Sequence, residues 1–210
     1  MRILVGCEES QAVTIELRKL GHEAYSCDVI DCSGGHPEWH IKGDVLEQLN
    51  KDWDMIIAFP PCTFLSNAGA ARLFPNGKLN TERYQKGLKA KEFFMQIYNA
   101  NCNKIAIENP VPSKIYGLPG RTQIIQPYYF GDEYLKRTCL WLRGLPKLIH
   151  SPENNLFAHK THIEPKFFHV RSSSNYKSQK YSTEKAKGNQ KQRSKTFPGI
   201  AKAMAEQWTV

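Results

Sequence analysis

Residues 53–69 read WDMIIAFPPCTFLSNAG. Asp54 to Phe59 reads as a strand whose residues Met55 to Phe59 are continuously apolar, and an unbroken run, unlike an alternating one, marks a strand buried on both faces of a parallel sheet. Two prolines end it. Pro60 and Pro61 hold the backbone extended and remove two amide donors, so Cys62 sits on a rigid mount outside regular structure. A cysteine in a core is most often a small hydrophobe. One fixed just past the end of a buried strand stands where α/β sheets gather their ligands.

The same alternation extends outward. Arg2 to Gly6 (RILVG) is a short apolar run, followed by Gln11 to Leu20, where Val13, Leu17 and Leu20 share a helical face closed by Gly21. Glu23 to Val29 (EAYSCDV) reads as a second strand, and Gly43-Asp44-Val45 follows a third short element. Glu82 to Asn99 is the longest helical pattern, with Leu88, Phe93, Phe94 and Ile97 facing a core and Lys86, Lys89 and Lys91 facing solvent. Lys104 to Glu108 (KIAIE) is a strand ending at Asn109-Pro110, Cys139 to Leu142 (CLWL) is another, and Ile200 to Trp208 is a terminal helix. The expectation is one α/β domain with a mostly parallel, Rossmann-like sheet, helices on both faces and a small basic insertion. Residues 1–148 would form the core, 149–195 the basic segment, and 196–210 a helix returning to the core. In this arrangement Cys7 to Gln11, Asp28, Asp44, Cys62 and Glu108 fall at the carboxyl ends of strands. A thiol nucleophile with a carboxylic acid able to hold or deliver a proton is a chemically complete pair. Asn67 to Asn80 follows the thiol and reads as a loop, either a plain connection or a cover that closes over substrate.

Composition narrows the classes. At 210 residues, 40% hydrophobic and 11% aromatic, the chain can bury a core and is not a disordered polymer. The sequence has no run of about 18 apolar residues and begins without a signal-peptide layout, so a soluble cytoplasmic protein with no membrane partner is expected. Its six cysteines are read as thiols. Most of the net charge of +9 lies in residues 166–195, which hold nine Lys/Arg against the single acid Glu184, interleaved with Phe167, Phe168, Tyr176 and Tyr181. Backbone-binding and base-stacking segments have this make-up, which points to a nucleic-acid partner. Phe168, Arg171, Tyr176, Lys177, Lys180, Lys185 and Lys187, with Arg72 in the loop after Cys62, are the candidate contacts.

Taken in order along the chain, these stretches resemble the C5-cytosine DNA methyltransferases that use S-adenosylmethionine. FPPCTFLS is similar to that family's Pro-Cys nucleophile loop, IENP (107–110) to its Glu-Asn-Val segment, and KGDV (42–45) to its Gly-Asp-Ile/Val cofactor motif. CDV (27–29) matches the acidic end of the second strand, KRTCLWLRG (136–144) resembles the arginine-bearing strand, and SKTFPGIAKAMAEQW resembles the closing motif. The resemblance implies a methyltransferase-type sheet and a cysteine that attacks C6 of cytosine. In this scheme Cys62 is the nucleophile, Glu108 binds and protonates N3, and Arg137 contacts the base. Asp28 and Val29 would hold the cofactor's ribose side and Asp44 and Val45 its adenine. The backbone at Cys7, Glu8, Ser10 and Gln11 would hold the methionine end, with Pro60 alongside. The base would be flipped out of the duplex to reach the thiol.

The chain departs from that family in three places. CEESQA stands where the family has a glycine-rich loop, Glu133 and Leu135 stand at the first two positions of its Gln-x-Arg-x-Arg pattern, and only Ile149 to Lys195 is available for target recognition. Alternatives are an RNA cytosine methyltransferase and a nucleic-acid-binding protein that keeps the fold without turnover. Amino-group methyltransferases place a polar residue before their two prolines, where this chain has Phe59. Cys27, Cys32, His36 and His40 have zinc-type side chains, but their spacing matches no common finger and Gly34, Gly35 and Pro37 make an ordinary loop, so no metal is expected.

Overall fold

The apolar runs at residues 2–6 and 54–59 become neighbouring parallel strands, β1 (Arg2–Gly6) and β4 (Met55–Ala58), in the computed structural model, which describes residues 1–154, 159–165, 167–169, 179–181 and 195–210. With β2 (Glu23–Asp28), β3 (His40–Lys42), β5 (Ile105–Pro110), β6 (Gln123–Ile125) and β7 (Thr138–Arg143) they form one open sheet in the order β3-β2-β1-β4-β5-β7-β6. The first five strands pair in parallel, and β7 runs antiparallel between β5 and β6. The fold class expected from the sequence is the one observed.

Side chains leave β1 alternately toward two cores, as the pleat requires. Ile3 and Val5 pack with Val13 and Leu17 of α1 (Ala12–Lys19) and with Ile200, Met204 and Trp208 of the C-terminal helix (Pro198–Trp208). Leu4 points the other way, into a cluster with Ile56, Trp141, and Phe94 and Ile97 of the long helix, here α3 (Thr81–Tyr98). Both faces of the sheet are therefore covered, which is why its central strands carry no polar alternation.

Three features differ from the sequence reading. The reversal at β7 and the short strand β6 are not visible in the apolar pattern. The stretch read as a loop at Asn67 to Asn80 contains a short helix, α2 (Ala70–Leu73), because Leu73 has an apolar cluster to enter. Within the basic segment, β8 (Phe167–His169) and β9 (Gln179–Tyr181) pair antiparallel. Among the described residues no helix is long and apolar enough to cross a membrane.

Candidate active site

The strand register aligns the site. Gly6 of β1 pairs with Cys27 of β2 and with Ala58 of β4, and Ala58 pairs with Ile107 of β5. The next residues, Cys7, Asp28, Phe59 and Glu108, therefore stand in a row at the carboxyl edge. Chain order reverses between β1 and β4, so this row includes the crevice where open α/β sheets bind ligands. Two surface grooves, one lined by Asn50 to Asp54 and Asn101, the other by residues of α1 with His22, His36 and Trp39, lie away from it.

Cys62 is half-buried, and its loop is pinned from three sides. Its carbonyl accepts from Leu65 N–H (3.2 Å) and Ser66 N–H (2.9 Å). Asn67 N–H donates to Val111 O (2.9 Å) and Ser113 N–H to Leu65 O (2.7 Å), tying the loop to the chain that leaves β5. Beneath it, Asn109 Nδ2 donates to Pro60 O at 2.9 Å. From α3, Arg83 Nη2 donates to Thr63 O (2.8 Å) while its guanidinium lies 5.1 Å from the Phe64 ring centroid.

Glu108 is half-buried on the adjacent strand, and its Oε1 is buried without a hydrogen-bond partner. Burial raises its pKa above the ordinary carboxylate value, and the charge of Lys136 opposes that rise. Lys136 immediately precedes Arg137 and lies 5.9 Å from the Phe197 ring centroid. The closing motif reaches this region because Gly199 N–H donates to Asp132 Oδ2 at 2.9 Å, close against the Phe130 carbonyl. Arg137 is exposed at the start of β7, where its positive charge acts on Cys139, the neighbour of Asn109 across the strand pair. Sequence reasoning missed Lys136, Arg83 and the clamping role of Asn109. Only Asn109 carried a signal, its place in IENP.

At the other end of the row Cys7 has a left-handed backbone (φ 57°), and burial, Asp28, Cys27 and Asp44 all push its thiol pKa up. Asp28 and Asp44 thus converge electrostatically on one loop. Asp44 is exposed and caps the turn Val45–Gln48 by accepting from Leu46 N–H (3.0 Å). Val45 is buried, Pro60 is buried, Ser10 is half-buried, and Val29 is 69% exposed beside Asp28. Glu8 and Gln11 are different: their side chains are engaged within the fold. Glu8 Oε1 accepts from Val13 N–H (2.6 Å) and Oε2 from the Thr14 hydroxyl (2.7 Å), which caps α1 in place of Gln11. Gln11, fully buried, donates from Nε2 to His36 O (2.7 Å) and accepts at Oε1 from His36 N–H (3.1 Å). What these two offer a ligand is backbone.

Among the nucleic-acid candidates, Arg72 is exposed on α2. Phe168 and Lys180 are register partners on the β8–β9 ribbon. Arg171, Tyr176, Lys177, Lys185 and Lys187 lie outside the described residues. Of the zinc-type residues, the Cys27 thiol donates to Gly43 O (3.6 Å), His36 stacks on Trp39, and His40 Nδ1 contacts Ser26 Oγ (2.8 Å).

No family model and no curated protein matches the chain. Among solved structures, one described as a candidate DNA modification methyltransferase encoded within a prophage (E. coli) aligns with 68% of this chain at 12% identity and a TM-score of 0.42. The aligned part spans 46% of that protein's length.

Proposed function

We propose that this protein transfers a methyl group from S-adenosylmethionine to C5 of cytosine in DNA, through a covalent bond between Cys62 Sγ and C6 of the base. The observation that carries the reading is the joint fixing of Pro60-Pro61-Cys62 and Glu108: one segment, residues 108–113, supplies the acid and also the hydrogen bonds that hold the thiol loop. A nucleophile and a proton carrier held by the same strand end keep their separation without substrate, as preorganised catalysis requires.

In this scheme Cys62 loses its thiol proton to solvent and bonds to C6, while Glu108, whose pKa burial raises, donates a proton to N3 so that charge does not accumulate in the ring. C5 thereby becomes the nucleophilic atom of the base. When bound, S-adenosylmethionine supplies the electrophilic methyl group. Loss of the C5 proton to water, return of the N3 proton to Glu108 and expulsion of Cys62 Sγ, which regains a proton from solvent, restore the aromatic ring. Asp28 and Asp44 would face the ribose hydroxyls and the adenine amine, with Val29 open to cover the base and the cationic sulfonium favoured by the acidic surroundings of Cys7. Arg137 would contact the flipped base.

The test is incubation with duplex DNA and methyl-labelled S-adenosylmethionine, followed by identification of the modified base. 5-Methylcytosine is expected, as is a covalent complex on DNA containing 5-fluorocytosine, and Cys62→Ala should abolish both. Full transfer by Cys62→Ala would refute the scheme. A second reading, a nucleic-acid-binding protein without turnover, is favoured by one observation: Glu8 already occupies the α1 N-terminus, where an anionic cofactor group would otherwise bind. Calorimetric titration with S-adenosylmethionine separates the two.

A further inference from the structure

The charge of the chain is divided across the sheet in a way its total conceals. Residues 1–61, with the ends of β1 to β3, hold eleven acids against five Lys/Arg, whereas residues 62–121 hold nine Lys/Arg against three acids. The basic half begins at Cys62. Its outermost part is residues 71–80, where Leu73 alone is buried and every other residue is exposed. Arg72, Phe74, Lys78 and Leu79 stand there, Phe74 being 39% and Leu79 43% exposed. The stretch is ordered at both ends: Leu73 O accepts from Asn80 N–H (2.8 Å), and the Asn80 side chain caps α3 by accepting from Arg83 N–H (2.9 Å).

A second exposed pair, Lys114 and Ile115 (39% exposed), belongs to the same lobe. It follows Ser113, whose N–H holds Leu65 of the Cys62 loop, and Tyr84 of α3 stacks on Tyr116 beside it (centroids 5.9 Å apart). Three exposed apolar side chains among three cations, with no acid in either exposed stretch, suit a polyanion that also offers flat apolar faces.

We propose that this lobe, Arg72, Phe74, Lys78, Leu79, Lys114 and Ile115, is a DNA-binding surface built into the catalytic core and distinct in sequence from the basic segment at 166–195. Its identification of DNA rests on the proposed reaction. The cations contact phosphates and set position, and the exposed apolar side chains pack against sugars or bases opened beside the target.

The experiment is a salt titration of anisotropy for the full chain and a short labelled duplex, which reads binding and not methyl transfer. Arg72→Gln, Lys78→Gln and Lys114→Gln combined should make the slope of log affinity against log salt less negative by about 0.9 for each contact removed. The same number of changes on the acidic half and the far helix, Lys19→Gln, Lys51→Gln and Lys202→Gln, should leave it unchanged. Phe74→Ser should lower affinity with the slope retained. An unaltered slope in the first variant, an equal change in the second, no duplex binding by the unaltered chain, or preferential binding of single-stranded RNA would each overturn the proposal. Duplex binding with the predicted slopes but no modified base would leave this surface standing and remove the reaction.

Discussion

Asn109 of β5 donates from Nδ2 to the carbonyl of Pro60, which leaves β4, at 2.9 Å, and the bond is buried. A proline-led loop has lost amide donors of its own, so its carbonyls must be satisfied from outside. Asn109 meets that need while its neighbour Glu108 faces the site. Asn109→Ala leaves a buried acceptor without a partner, at a cost of about 1–3 kcal/mol, and frees the loop that carries Cys62. The single-turnover rate should fall about 10- to 100-fold while S-adenosylmethionine affinity is retained. Rapid-quench kinetics beside calorimetry make the comparison, and a rate equal to wild type would show that the prolines alone hold the thiol.

The two ends of the carboxyl row should separate by mutation. If Glu108 carries the N3 proton of the proposed reaction, Glu108→Gln keeps the shape but cannot carry it, so the rate should fall with cofactor affinity intact. Asp44 also caps the turn Val45–Gln48, and Asp44→Asn keeps a capping oxygen while removing the charge. If Asp44 holds the adenine amine as proposed, S-adenosylmethionine affinity should drop by about 1–3 kcal/mol through the weakened contact. Calorimetry on both variants decides, and an equal loss of affinity in the two would reassign Glu108 to the cofactor.

Glu8 gives a pH signature of folding. Burial outweighs the bonds from Val13 and Thr14 and pushes its carboxyl up to about 7. Between the unfolded carboxylate value and about 7 the folded protein therefore holds a proton that the unfolded chain has released. Stability from this group is fully present below the unfolded value and is lost as pH rises through about 7. Glu8→Gln cannot titrate. The stability of wild type relative to Glu8→Gln should fall by up to about 3 kcal/mol across that window and then level off. Urea midpoints at successive pH values measure it, and a flat difference would mean that Glu8 ionises normally.

The runs RILVG and DMIIAF revealed the central strands because a strand buried on both faces has no polar alternation to confuse with a helix. Gln123 to Ile125 was illegible as a strand, since three residues have no period and their pairing depends on β7. The direction of β7 was equally hidden, because strand sense is set by the path of the connection and not by composition. The positions of Cys62 and Glu108 at the carboxyl edge were readable from the apolar runs before them. Lys136 and Arg83 were not, since each acts on a residue distant in sequence. Glu8 and Gln11 stand in the loop the sequence assigns to the cofactor, but in the fold their side chains turn inward to α1 and His36.

Gly6 ends β1 hard against the buried Val45 side chain. A Cβ added at Gly6 would lie 2.5 Å from Val45 Cγ2 and 3.7 Å from Ala58 Cβ, so the first contact is a clash and the second is ordinary packing. Gly6→Ala must displace the buried Val45 side chain and so presses on the turn Val45–Gln48 that Asp44 caps. Overpacking of this kind costs about 1–3 kcal/mol, and the displaced turn should also weaken S-adenosylmethionine binding if Asp44 holds the adenine. Val45→Ala removes the clashing methyl at the cost of a small void. Combined, the two changes should restore part of both losses, giving a favourable coupling of about 1 kcal/mol or more in a double-mutant cycle on unfolding midpoints. Recovery of stability without recovery of cofactor affinity would place the adenine elsewhere. Strict additivity would mean that the strain of Gly6→Ala is relieved by β1 itself and never reaches the turn.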